Sequence, residues 1–189
     1  GPMVSCSKAA DEPEGSAARE TPALEARKVA FPETSLGHLS LHDAKAEDFS
    51  TSQALGPAKG TVDVPAGKKL MLQVDPEVVA DLSPMAKLKP NDLQMLDLSR
   101  SGVEDAQLKH ISGLTGLTFL NVALTKVTDE SMAHLMKLSN LREINLRMIR
   151  VSDAGIKALA PLTAVEAAEL SRTLITDEGL AGLAPWKNL

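Results

Sequence analysis

Two histidines, a lone cysteine and a column of aspartates are the side chains of this chain best suited to chemistry. His110 and His134 stand 24 residues apart, so their imidazoles could approach one another as two metal ligands. Zinc ordinarily takes four ligands, and the positions that continue the series are Ala158 and Gly182, so no metal site is expected. Asp105, Asp129, Asp153 and Asp177 recur at the same interval and invite a calcium reading. Calcium needs about 6 to 8 oxygens, more than the neighbouring loops offer. Each Asp instead falls where a helix begins and its charge meets the helix dipole, so helix capping is the simpler account. Cys6 is the only cysteine, which removes disulfide frameworks and multi-cysteine zinc sites. No glycine-rich phosphate loop, activated Ser/His/acid or Cys/His set, or zinc signature is present. No catalytic residue and no cofactor is therefore expected.

The elements that carry these residues repeat. Leu93, Leu117, Leu141, Val165 and Leu189 follow one another every 24 residues. Leu96, Leu120, Ile144 and Ala168 form a parallel column, and so do Leu98, Val122, Leu146 and Leu170, then Val103, Val127, Val151 and Ile175. Three more columns start at Leu108, Ile111 and Leu114 and end at Leu180, Leu183 and Trp186. Within a unit, Leu96-x-Leu98 has the period of two that sends side chains to opposite faces of a strand. Leu108, Ile111 and Leu114 have a spacing of three, one face of a short helix. Thr128-Asp129, Ser152-Asp153 and Thr176-Asp177 stand between the two and supply capping oxygens. Each unit thus reads as strand, turn, helix, return.

Ahead of the repeats the chain divides in two. Residues 1–32, with Gly1-Pro2-Met3 read as a tag remnant, are small, polar and charged, too poor in apolar surface to offset ordering entropy, and read as a flexible tether. A helix around Ala23 to Val29 would be marginal. Residues 33–92 carry short alternating runs at Leu36 to Leu41, Gly60 to Val64 and Lys69 to Val74. Pro65-Ala66-Gly67 is expected to turn the last two into a hairpin. Leu72, Val74, Val79 and Asp81 lie 24 residues before Leu96, Leu98, Val103 and Asp105, which makes a degenerate capping repeat, although the helical columns slip around Pro84 and Pro90. This β element would cover the apolar end that any stack of repeats exposes. Residues 93–189 are the repeats proper.

Composition narrows the function classes. Aromatic residues make up 2% of the chain and hydrophobic ones 43%, so thin layers of Leu, Ile, Val, Met and Ala must form the core. The net charge is −5, and no basic cluster interleaved with aromatics tracks a phosphate backbone, so nucleic acid is not an expected partner. No apolar run approaches the roughly 20 residues that span a bilayer.

The columns resemble the leucine-rich-repeat family, whose unit runs L-x-x-L-x-L-x-x-N/C-x-L over about 20 to 29 residues. The likeness covers Leu93 to Leu189, and the form Thr-x-Val-Thr-Asp, seen from Thr125 and echoed from Thr173, is similar to bacterial members. Where the family often places Asn, this chain has Ser101, Thr125, Ile149 and Thr173; hydroxyls can substitute in part, but Ile149 cannot hydrogen-bond. Met3-Val4-Ser5-Cys6 also resembles the end of a bacterial lipoprotein signal, which would make Cys6 a lipidation site and place the protein in the cell envelope or periplasm. The alternatives are a free thiol in a tail and a cytoplasmic protein.

The resemblance implies an α/β solenoid with a parallel sheet on the concave side, short helices on the convex side and binding on the concave strands. With Leu96 and Leu98 inward, the outward columns are Met95, Phe119, Glu143 and Ala167, then Asp97, Asn121, Asn145 and Glu169, then Ser99, Ala123, Arg147 and Ser171. Just past the strands stand Arg100, Leu124, Met148 and Arg172. Aromatic, Met and Arg side chains are enriched at interface cores. The expected contact set is therefore Met95, Asp97, Phe119, Asn121, Leu124, Glu143, Asn145, Arg147, Met148, Glu169 and Arg172, facing a protein or peptide. Leu124 and Met148 packed on the loop edge, with Phe119 flat on its neighbours, is the blander account. A membrane would be met only through the lipid anchor, and the chain would be a monomer or weak homo-oligomer. A structural reading stands beside the binding one, in which Leu180, Leu183 and Trp186 form an exposed edge that stacks on another copy.

Overall fold

The computed structural model describes residues 24–46, 51–76 and 81–189. Cys6 and its lipid-anchor reading, the remnant 1–3 and the rest of residues 1–23 lie outside the described residues, as does Val79. The described strands are β1 (Arg27–Ala30), β2 (Gly37–Asp43), β3 (Gln53–Pro57), β4 (Thr61–Val64), β5 (Lys68–Val74), β6 (Met95–Asp97), β7 (Phe119–Asn121), β8 (Glu143–Asn145) and β9 (Ala167–Glu169). Seven of them form one sheet in the order β3-β2-β5-β6-β7-β8-β9. β5 to β9 are parallel and in register, so that Met71, Met95, Phe119, Glu143 and Ala167 stand side by side. β2 runs antiparallel to both β5 and β3.

The short repeat strands are extended by a ladder that follows the chain around its bend. Leu98, Val122 and Leu146 donate their N–H groups to Asn121, Asn145 and Glu169 of the next unit at 2.8–3.0 Å, and Arg100, Leu124 and Met148 donate to Ala123, Arg147 and Ser171 at 3.0–3.1 Å. The bend itself is made at Arg100, Leu124, Met148 and Arg172, which all hold a left-handed backbone with φ of 57° to 59°. That conformation costs a side-chain-bearing residue about 1–2 kcal/mol. The next residue then closes the bend: the hydroxyls of Ser101, Thr125 and Thr173 donate to the carbonyls of Leu98, Val122 and Leu170. Ile149 has only its backbone N–H on Leu146 O, at 3.4 Å.

The return arms are α1 (Asp105–Leu108), α2 (Met132–Leu135), α3 (Asp153–Ala158) and α4 (Asp177–Ala181). They are shorter than the spacing of apolar positions suggests. A 3-10 turn continues α1 over Lys109–Ile111, and Leu114, Leu138 and Leu162 fall in the turns beyond the helices. The inward columns meet between strands and helices: Leu96, Leu98, Val103, Leu108, Leu120, Val122, Val127, Met132, Leu146, Val151 and Ile156 are fully buried. Each such side chain stabilises the fold by about 1.5–3 kcal/mol.

The N-terminal unit departs from two expectations. β1 lies inside the stretch assigned to a flexible tether, because Val29 and Phe31, alternate residues in a polar neighbourhood, are buried in the common core. Too few apolar residues surround them to lift the local composition. The Arg27 side chain ties this strand to the first repeat, donating to Asp92 O at 3.3 Å, to Lys68 O at 3.4 Å and to Gln94 Oε1. The expected hairpin is also absent: β4 pairs with β1 and β5 with β2. Pro65-Ala66-Gly67 is a turn, but it carries the chain from the two-stranded sheet into the seven-stranded one. Gly67 has φ 73° and gives its N–H to Leu24 O at 2.8 Å. Closure on the other side depends on Gly37, where a Cβ would overlap Gln73 O.

Candidate functional site: the strand face and its ridge

The column that the sequence marks most plainly, the aspartates, turns out to be mortar between units. Asp105 accepts the N–H and hydroxyl of Thr128 at 2.8 and 2.7 Å. Asp129 does the same for Ser152, and Asp153 for Thr176 at 2.7 Å on both bonds. The three hydroxyl residues meanwhile cap their own helical arms by accepting from Glu130, Ala154 and Glu178. Capping thus belongs to Thr128, Ser152 and Thr176, whereas each Asp stands at the start of a helix and reaches across to the following repeat. Gly155 and Gly179 make room for it, since a Cβ at either would overlap Asp129 Oδ1 or Asp153 Oδ1. The unit with Ser131 at the matching place opens on a 3-10 turn, Asp129–Ser131. The residue 23 positions after Asp81 is Glu104, which has no hydroxyl to offer, and Asp81 accepts from Ser83 N and Oγ at 2.9 Å. Parallel strands in a 24-residue register, a bend after each and a return arm stapled to the next coil make the assignment.

The fold is a leucine-rich-repeat solenoid.

Solved structures that resemble the solenoid number 34 chains. Among them, an internalin C2 of Listeria monocytogenes is 28% identical over 58% of this chain and 44% of its own, with a TM-score of 0.49. A second internalin of that organism is 20% identical over 60% of this chain and 37% of its own, with a TM-score of 0.39. This chain spans less than half the length of either. No family model and no curated protein matches it.

On the outward face of the solenoid's sheet, the expected contact residues fall into three groups, together with Arg100 and Ala167 of the same columns. Asp97, Asn121, Asn145 and Glu169 are partly committed to the backbone: their side-chain oxygens accept the N–H two residues on, from Ser99, Ala123, Arg147 and Ser171, at 2.8–3.0 Å. They fasten each strand end and leave their remaining polar capacity outward. The hydroxyl and N–H of Ser171, helped by Arg147, hold the Glu169 carboxyl below its ordinary range. Met95, Phe119, Glu143 and Ala167 cross the middle of the sheet, and here the structure grades them. Met95 is buried, Phe119 half-buried, and Glu143 and Ala167 exposed, so Met95 is not open to a partner in this conformation.

The third group is the edge where the strands end. Leu124 and Met148 are 41% and 39% exposed, and Arg100, Arg147 and Arg172 are exposed around them. The left-handed bend turns Arg100, Leu124, Met148 and Arg172 outward in one row. The Arg172 guanidinium reaches Met148 Sδ at 4.0 Å.

Sequence reasoning overlooked the opposite side of the same face. β2 and β5 place Ser40, His42 and Lys69 there, with Arg142 at the foot of β8. Burial, then Arg142, hold the Lys69 ammonium below its ordinary value, against Glu143, which raises it. Ser40 Oγ lies 2.9 Å from His42 Nε2, a pairing with the elements of a nucleophile and base. Ser40 is half-buried and His42 is 3% exposed. Burial, followed by Lys69, lowers its pKa. Residues so far apart in sequence could have been placed together only by knowing that β2 joins the sheet. His110 sits near enough to Asp81 to act weakly on it, behind the Ser83 hydrogen bonds that dominate. Among the described residues no group of three or more His, Cys, Asp or Glu could hold a metal ion.

Proposed function

We propose that this solenoid is a non-catalytic binding module of a bacterial protein, which recognises a protein or peptide with the outward face of its parallel sheet. The observation that carries the reading is the combination of an exposed, chemically mixed surface with a rigid support. Glu143, Ala167, Arg147, Leu124 and Met148 project from strands whose ends are fixed by the side-chain clamps and the continuous ladder. Such preorganisation lowers the ordering cost of association. Affinity capture from an envelope extract tests it, using the parent chain beside a Glu143→Lys/Arg147→Glu variant that keeps its circular dichroism. A protein retained by the parent and lost by the variant is the expected result; equal retention would remove the sheet face from the reading.

A structural role has its own supporting observation at the far end of the solenoid. Leu174 and Leu180 are 59% and 50% exposed. Leu183 and Trp186, expected to share this exposure, are 5% and 3% exposed, and the Trp186 indole donates to Leu159 O at 3.2 Å. Trp186 therefore seals the last coil, and Leu174 and Leu180 are the residues to change. Sedimentation of the parent and of Leu174→Asp/Leu180→Asp decides between the roles: a dimer lost in the variant favours assembly, and a monomeric parent counts against it.

Placement in the cell envelope through a lipidated Cys6 belongs to the same proposal and rests on the sequence. Among the described residues no helix is long and apolar enough to cross a membrane. Mass spectrometry of the natural protein would show a lipid mass on Cys6 if the anchor exists and an unmodified thiol if it does not.

A further inference from the structure

The row of four bends carries more chemistry than a scaffold requires. A left-handed bend is made with least strain by glycine, yet the solenoid places Arg100, Leu124, Met148 and Arg172 there, with all four side chains outward. Strain retained at successive equivalent positions points to a use for the side chains. The order is cation, apolar, apolar, cation. Arg147 adds a third guanidinium one residue away. Among the described residues none of Arg100, Arg147 and Arg172 forms an ion pair. The nearby carboxylates of Asp97 and Glu169 are already engaged by Ser99 and Ser171. Those carboxylates keep their charge, Glu169 within reach of Arg147, while the guanidiniums of Arg100 and Arg172 at the two ends of the row pair with no carboxylate among the described residues.

We infer that this ridge binds a short extended peptide segment in which two carboxylates flank an apolar side chain. The inference rests on the proposed protein-binding role and names the chemistry of the partner. Strands about 4.8 Å apart put Arg100 and Arg172 about 14 Å from one another across three intervals. In an extended chain, same-face side chains recur about every 6.7 Å, so residues i and i+4 are about 13 Å apart. Carboxylates at those two places meet Arg100 and Arg172, where guanidinium can engage them through paired N–H donors. The side chain at i+2 then falls over Leu124 and Met148 and covers their exposed surface.

Selection of random twelve-residue peptides on the immobilised full chain tests this, followed by fluorescence anisotropy with each enriched peptide. The expected motif is acidic-x-apolar-x-acidic. Its affinity should fall at least tenfold on Arg100→Glu/Arg172→Glu, fall on Leu124→Ser/Met148→Ser, and weaken as salt is raised. All four positions are exposed, and circular dichroism confirms that the variants fold. Enrichment of peptides without the acidic pair, equal binding by the ridge variants, or no enrichment at all overturns the inference. The wider binding role is judged separately: a protein captured by the parent and by the ridge variant, but lost by Glu143→Lys/Arg147→Glu, keeps that role and removes the ridge from it.

Discussion

The two ends of the solenoid hold the same kinds of residue and treat them oppositely. At the first end, Leu70, Leu72 and Leu82 are fully buried in one cluster with Val29, Phe31, Leu39, Leu41 and Val64. At the other, the columns open. Leu108, Met132 and Ile156 are fully buried, and Leu180, the next in line, is 50% exposed. Leu98, Val122 and Leu146 lead likewise to a half-buried Leu170, and Val103, Val127 and Val151 to a half-buried Ile175. What buries a residue here is the coil that follows it. Stability is accordingly a sum of within-coil and between-coil terms, as in other stacked repeats.

Paired substitutions sharpen that contrast, and the largest difference should come from the core columns. Leu120→Ala removes a fully buried side chain between two coils and should cost about 2–5 kcal/mol, whereas Leu180→Ala should cost less than about 1 kcal/mol. Urea midpoints of the two proteins check this; equal losses would mean that the far end is covered in solution. The staples come next. Asp129→Ala leaves Ser152 without its two charge-assisted bonds and should cost about 1.5–3 kcal/mol, whereas Asp177→Ala, at a carboxylate that makes no such staple among the described residues, should stay within about 0.5 kcal/mol. Gly155→Ala drives a methyl into Asp129 Oδ1 and should cost about 1–3 kcal/mol. Gly113→Ala, with open space around it, should cost nothing comparable. In the Asp129→Ala background the Gly155→Ala penalty should shrink, and a double-mutant cycle would measure that coupling.

The smallest expected effect is a graded response to acid. The neutral form of His42 is favoured by folding, so its contribution is complete above the unfolded value of 6.5 and is lost as pH falls from there towards the lower folded value. The carboxylates of Asp81, Asp153 and Glu169 are held low mainly by hydrogen bonds from Ser83, Thr176 and Ser171. Their contributions are present above the unfolded values of 3.8 and 4.5 and are lost as pH falls through the folded ones. Melting temperature should therefore drop in two stages, one beginning below pH 6.5 and one below pH 4.5. His42→Gln should remove the first stage alone.

Much of this was legible in the sequence, and the exceptions share a cause. The 24-residue columns define the coils because burial acts on the same side chains that carry the periodicity. β1 and the pairing of β4 were not legible, since two buried residues in a polar stretch set up no period. The bend at Arg100, Leu124, Met148 and Arg172 hides for a different reason: residues of these types do not announce a left-handed backbone. On the strand face, Asp97, Asn121, Asn145 and Glu169 read as contact residues, whereas each also accepts the N–H two residues on. The aspartate column and its place at the helix start are legible in the sequence, but its grip on the next coil is not, because the partners lie 23 residues away.

The aspartate staples also set how the molecule answers a mechanical load. Tension applied along the solenoid loads, at each junction between stapled coils, the carboxylate together with the strand ladder beside it. Coils should then peel singly from the open end. Each would release 24 residues of slack, or about 80 Å of extended chain, so that a sudden pull is met as a staircase of small yields while the remaining sheet stays intact.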